Sequence, residues 1–317
     1  MIKRIPLVSG AIILFLLCLE LILKFVWGFG NPILYKEDKN FEYIYAPNQH
    51  LKRFGNTIIT NEYSMRSLPV SENDSIRILK IGDSVVNGGS LTDNDSLAST
   101  LLENKLSATF KCKVRVLNIA AGSWGPDNAF AYIQKYGSFN AKQMVLVFSS
   151  HDLYDNMEHE KIVDIDPSYP SGKPFSALTE VFARYIYPSF EEYFHLKKRN
   201  IKITTDNNLI SLNKERINPG WNDFFQYTKK HKIKLLVVLH PTTDEIKMKR
   251  YDTNGQKIIS MLDSAKIDRI LELDNLPKED IYRDEIHYNN KGQKFLAKEL
   301  FPYLKKYVVE NYRNTKI

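Results

Sequence analysis

Apolar positions along this chain follow three rhythms, and each predicts a different kind of element. Residues 7–29 are almost continuously apolar, interrupted by Ser9, Gly10, Glu20 and Lys24 before Gly28 near the end. That is long enough to cross a bilayer as a helix. A cleavable leader would have a shorter apolar core and a small-x-small site, which residues 26–30 do not offer, and Leu17 ahead of Cys18 is not the small residue a lipoprotein site needs. The run therefore reads as an uncleaved anchor. Short apolar runs at 76–81, 114–118, 144–148, 233–239 and 270–273 read as strands. Between and after them, 96–110, 127–136, 219–231, 255–266 and 291–312 carry apolar residues at helical spacing. In the last of these, Phe295, Leu296, Leu300, Leu304 and Val308 recur on one face. Alternating strands and helices predict an α/β chain, a three-layer α/β/α sandwich around a five-stranded parallel sheet.

The same pattern divides the chain into an anchor (1–30), a stalk with a small N-terminal unit (31–75) and a large domain (76–317). A short strand and turn are expected at 56–61. Between the third and fourth strands, 157–218 is far longer than an ordinary crossover and reads as an insertion. Its aromatics (Phe175, Phe182, Tyr185, Tyr187, Phe190, Tyr193 and Phe194) pack as core or form a lid that stacks sugars or touches a membrane. Pro188 predicts two helices there, and Lys197, Lys198, Arg199 and Lys202 follow at once.

Chemistry enters where the first strand ends, in Gly82-Asp83-Ser84 followed by Gly88-Gly89. A serine just beyond a strand's C-terminal end stands where open α/β sheets build their sites. Its hydroxyl becomes a nucleophile only if a base takes its proton and donors hold the resulting oxyanion. Far downstream, Asp284 and His287 lie three residues apart, so one loop can deliver both, in the chain order Ser…Asp…His. Taken alone, Ser84 reads equally well as the N-cap of the next helix.

Together these residues resemble the SGNH (GDSL-type) hydrolases. Gly82-Asp83-Ser84 matches that family's first block and Gly122, in a loop after the second strand, its second. Asp284-x-x-His287 with Tyr288, Asn289 and Gly292 matches its last. The third block departs: where the family carries Gly-x-Asn-Asp, this chain has Ser149-Ser150-His151-Asp152. The resemblance covers roughly residues 76–305. It implies a flavodoxin-like SGNH fold, with Ser84 as nucleophile, His287 as base and Asp284 orienting it. It also implies an oxyanion hole from the backbone N–H groups of Ser84 and Gly122. A ring nitrogen of His151 can donate where the asparagine amide normally does. Asn61 to Arg66 resembles an Asn-x-x-Gly-x-Arg element of membrane-anchored members, so Arg66 is a candidate substrate contact; Trp124 near Gly122, Asp152 in the third block and His240 after the fourth strand are the others.

Membrane-anchored relatives of this shape are associated with polysaccharide modification. The implied activity is a serine esterase or O-acyltransferase acting on acyl groups, acetyl above all, of cell-envelope or exported polysaccharide. The alternatives are a lipid-directed esterase and a non-catalytic glycan-binding or assembly subunit that kept the fold. Lys3 and Arg4 ahead of the span keep the N-terminus cytoplasmic and place the rest outside, periplasmic or at the cell surface. Expected partners are therefore a glycan or acylated carbohydrate, the membrane through the N-terminal helix, and polysaccharide-assembly proteins of the envelope.

Charge and cysteine content refine this only slightly. The formal charge is +7; Lys3, Arg4, Lys24 and Glu20 contribute +2, leaving +5 spread over the remainder. That suits an anionic glycan or a lipid surface, and no nucleic-acid motif accompanies it. Cys18 lies in the span and Cys112 alone beyond it, so the exported part has no internal disulfide to form. No phosphate-cradling loop, dinucleotide fingerprint or Gly-x-Ser-x-Gly elbow is present, and no cofactor is expected. His151, Asp155 and His159 would share a face if they lay on one helix, but no His-Glu-x-x-His accompanies them and no metal site is expected. Glu20 within the span reads as tolerated near its outer third sooner than as a partner contact.

Overall fold

The computed structural model describes residues 5–193 and 216–314. Phe194 and the basic run at 197–202 lie outside the described residues.

Five parallel strands make the central sheet: β5 (Ile76–Gly82), β6 (Val114–Ala120), β7 (Gln143–Ser149), β8 (Lys234–His240) and β9 (Asp268–Leu271), in the order β6-β5-β7-β8-β9. Strand residues alternate between two cores, as a sheet covered on both faces requires. Leu79, Ile81, Leu117 and Leu146 enter one core, with Ala129 and Ile133 of a helix at Pro126–Tyr136, Phe224 of one at Gly220–His231, and Ile258 and Leu262 of one at Thr253–Ala265. Ile78, Val116, Val145 and Val238 enter the other, with Leu102 and Leu106 of Ala98–Phe110 and Leu296, Leu300 and Leu304 of Asn290–Asn314. The strand order reverses at β5, so the crevice outside the carboxyl ends of β5, β6 and β7 is the place such a sheet offers a ligand.

Helix α1 (Ile5–Trp27) precedes the domain, and from Val8 to Trp27 it is long and apolar enough to cross a membrane. Residues 31–75 do not extend as a stalk. They form two hairpins, β1 (Tyr35–Asp38) with β2 (Glu42–Tyr45) and β3 (His50–Arg53) with β4 (Asn56–Ile59). Phe41, Tyr43, Ile44 and Met65 are buried in the first core. The aromatic residues of this stretch, which reads in sequence as a stalk with a small N-terminal unit, are packing surface. Among its described residues the insertion likewise contains one helical run, Ala177–Val181, Phe182–Ile186 and Tyr187–Tyr193. Pro188 does not split it, because the middle turn is a π turn that loosens the backbone just ahead of the proline.

Candidate active site

Ser84 opens a one-turn helix, Ser84–Asn87, at the end of β5. Asp83, and not Ser84, is its N-cap: the Asp83 carboxylate accepts the Val85 N–H at 2.8 Å. This frees the serine hydroxyl. Gly82 is required immediately before it, since a Cβ there would collide with the Val147 carbonyl and the Val86 side chain. Asn118 Nδ2 donates to Val86 O at 3.1 Å and Asn87 Nδ2 to Ala120 O at 2.9 Å, tying the turn to β6.

The loop from Ile281 to Asn289 brings the acid and the imidazole across. Ser84 Oγ lies 2.9 Å from His287 Nε2, and His287 Nδ1 lies 2.9 Å from both Asp284 carboxylate oxygens. Nδ1–H donating to the carboxylate leaves the Nε2 lone pair facing the serine O–H, the tautomer that proton abstraction needs. Partial burial pushes the Asp284 carboxyl upward, but the N–H groups of His287 and Ile286 and the imidazole itself hold it below the usual carboxylate range. Asp284 therefore stays an anion where an imidazolium forms beside it.

Gly122 follows β6 and is half-buried, its carbonyl held by Tyr43 Oη at 2.7 Å. Among the described residues neither the Ser84 nor the Gly122 N–H has an acceptor. His151 sits in a 3₁₀ turn, Ser150–Leu153, straight after β7, with its side chain half exposed. That turn ends before Asp155, and His159 has a left-handed backbone with φ 56°, so the three residues share no helical face. The rim thus presents Ser84, Gly122, His151 and His287 from four loops.

The four candidate substrate contacts are corrected by burial. Trp124 is fully buried, with its indole N–H donating to Tyr43 O at 2.9 Å. Asp152 is also fully buried and accepts the Ser149 N–H at 2.6 Å, closing its own turn. Burial, with Asp83 nearby, pushes its carboxyl well above the usual range. One side-chain oxygen or nitrogen from each of Asp83, His151 and Asp152 lies within 4.8 Å of those of the other two. Both acids already hold backbone N–H groups there.

Arg66 is 1% exposed and points beneath the rim instead of into it. Its guanidinium donates to the carbonyls of Asn87, Gly89 and Thr92 at 2.7–2.9 Å and to Asn94 Oδ1. Ser64 occupies the position of the family element's glycine and has φ 68°, so the tight turn survives without glycine. Arg66 thus shapes the loop after Ser84 from below. His240 is fully buried too, its Nδ1 2.7 Å from Glu272 Oε2 and its Nε2 2.7 Å from the Ile286 carbonyl. It holds the loop that carries Asp284 and His287.

Two contacts at the site have no signal in the sequence. Arg283 Nη1 donates to Gly88 O at 3.1 Å, stitching the His287 loop to the Ser84 loop. Thr243 N donates to Glu285 O at 2.9 Å. Both join residues far apart in the chain through backbone carbonyls, which any residue type supplies.

No protein-family model and no curated protein matches the chain. Solved structures similar to it include an acylhydrolase and esterases. A lipase/acylhydrolase from Enterococcus faecalis is 12% identical over 73% of this chain and 96% of its own, with a TM-score of 0.43. An acetyl xylan esterase from Geobacillus stearothermophilus is 13% identical over 71% and 92%, with a TM-score of 0.39. A two-domain esterase active on acetylated mannans, crystallised with mannopentaose, is 12% identical over 73% and 49%, with a TM-score of 0.43.

Proposed function

We propose that this chain is a serine esterase or O-acyltransferase of the SGNH type, held at the outer face of a membrane by α1 and acting on acetyl groups of polysaccharide. The single observation that carries the reading is the continuous hydrogen-bonded path Asp284–His287–Ser84 on the sheet's C-terminal rim. In the reaction, the Ser84 proton passes to His287 Nε2 as Oγ bonds to the ester carbonyl carbon. The carbonyl oxygen becomes an oxyanion beside the N–H groups of Ser84 and Gly122 and the His151 ring. Collapse expels the sugar oxygen, which takes the proton from His287 and leaves an acetyl–Ser84 ester. Water then attacks, giving acetate, or a second sugar hydroxyl attacks, giving a transferred acetyl group. In either case His287 takes the attacker's proton and returns one to Ser84. The acetyl-polysaccharide substrate class rests on the family resemblance carried by three of the four blocks, and the outward orientation on Lys3 and Arg4.

Acetate release from an O-acetylated polysaccharide by the full chain tests the reading, and His151 sharpens it. Losing one oxyanion donor typically lowers turnover on the order of 100- to 1000-fold. His151→Ala should fall in that range, while His151→Asn, whose amide donates from a similar position, should recover much of the loss. An asparagine variant as inactive as the alanine one would remove His151 from the oxyanion hole.

A further inference from the structure

Glu20 is a carboxylate within an apolar span, and it is occupied. Its two oxygens accept the N–H groups of Ala177 and Leu178 at 2.8 Å each, the first turn of the insertion's helical run. Ser176 caps the same turn through the Thr179 N–H. The partner of this charge is thus another segment of the same chain, contrary to the expectation from the sequence. Farther along the run, Glu180 accepts the Gly30 N–H at 2.6 Å and pairs with buried Arg53 at 2.5 Å. Arg53 also donates to the Gly28 carbonyl at 3.2 Å. Gly28 has φ +76° and ends α1 with its N–H on the Lys24 carbonyl at 3.1 Å, the left-handed cap that glycine favours. The Phe29 ring then meets Tyr185 edge-on at 5.8 Å.

These contacts give the run a direction. Seven residues separate Glu20 from Trp27, about 10 Å of helix. The run starts beside Glu20 and reaches Phe29 at Tyr185, a similar rise, so it lines the outer two turns of α1. Its remaining face is exposed and apolar, Phe182 55% and Ile186 51% exposed, and Phe175, just ahead of the run, is 97% exposed. From Val181 to Phe190 the only charged side chain is Arg184, which pairs with Glu180 at 3.0 Å. A helix face turned to water carries charges, whereas one turned to an interface carries aromatics and aliphatics. This face adjoins the exposed apolar surface of α1 directly.

We propose that residues 175–190 are a lipid-contacting element seated in the outer leaflet beside α1, so that the bilayer holds the domain at two places. The proposal rests on the reading of α1 as a membrane anchor. Its consequence for the site follows from the contacts beyond Arg53. In the same hairpin, Asn56 Nδ2 donates to Ser90 O at 3.1 Å and Thr57 N to Asp93 Oδ2 at 2.6 Å, both in the loop that follows Ser84. The anchor thus joins the domain at the rim that carries the serine, and the esterase works close to the lipid surface.

The test uses the full chain with Cys18→Ser and Cys112→Ser, carrying one new cysteine labelled with bimane, in phosphatidylethanolamine/phosphatidylglycerol nanodiscs with or without spin-labelled lipid. Leu21→Cys reports the anchor. Phe175→Cys and Ile186→Cys report the insertion. Tyr303→Cys, 48% exposed on the helix that follows the His287 loop, reports the surface beside the amino ends of the strands. Unchanged hydrolysis of a soluble acetyl ester shows that each variant is folded. Quenching at 175 and 186 by roughly half or more, matching 21, with none at 303, is the expected result. Quenching at 21 without quenching at 175 and 186 overturns the proposal and leaves the anchor standing. No quenching at 21, 175 or 186 overturns both.

Discussion

Ser84→Ala is expected to lower acetyl-ester hydrolysis on the order of 10⁴-fold or more, the scale seen when a nucleophile is removed from a triad. The chain should fold about as well without the hydroxyl. Asp83 supplies the cap of the helix that Ser84 opens, and the Ser84 hydroxyl is engaged by His287 at 2.9 Å. The variant therefore separates chemistry from stability, a separation that Arg66 or Asp152, both buried in the loops around the site, does not allow. A fluorophosphonate that labels the wild type at Ser84, identified by mass spectrometry, should leave the variant unlabelled. Equal hydrolysis by wild type and variant would remove Ser84 from the mechanism and with it the esterase reading.

Much of this arrangement is legible in the order of residues along the chain. Apolar runs a few residues long, spaced by helical periodicity, locate β5 to β8, because a strand buried on both faces has no polar alternation to confuse the pattern, whereas the half-exposed β9 begins at Asp268 and Arg269, two residues before the apolar run at 270–273. Ser84, Asp284 and His287 stand out because glycine, acid and imidazole sit at fixed offsets beside a strand end. What stays hidden is burial. Arg66, Trp124, Asp152 and His240 look like rim residues from their positions, yet each is folded inward, since polar groups that brace a loop from below occupy the same sequence positions as those that line it. Residues 31–75 are hidden for a related reason: Phe41 and Tyr43 join the core through residues 80 or more positions away, such as Trp124. The Glu20 contact spans 157 positions, and no local rule anticipates a carboxylate of the apolar N-terminal helix accepting the N–H groups that open a helix of the insertion.

The buried histidine beneath the loop that carries Asp284 and His287 gives the second large effect. Both His240 nitrogens face acceptors, the Glu272 carboxylate and the Ile286 carbonyl, so both carry protons and the ring is an imidazolium paired with Glu272. Burial alone would lower its pKa. The hydrogen bond and charge of Glu272, with the Ile286 carbonyl and Asp83, outweigh burial and raise it above the ordinary histidine value. Tyr288 Oη also donates to Glu272, at 2.6 Å, and the ring of Tyr282 stacks on His240. Removing one member of such a pair typically destabilises by about 3–5 kcal/mol, because the other charge is left buried. His240→Gln should show a loss of that order in urea unfolding, and a lower kcat as the Ile286 carbonyl and the neighbouring His287 lose their support. The sign of the pH dependence follows from the raised pKa: the folded state binds the proton more tightly than the unfolded one. The advantage of wild type over His240→Gln should be complete below about pH 6.5 and should shrink as pH rises through the folded-state pKa. Lys80, pushed down to about 7 by burial and Arg66, titrates nearby with the opposite sign, but it is present in both proteins and drops out of the comparison. A difference that stays flat with pH would mean a neutral ring, and Glu272 would then hold the loop without an ion pair.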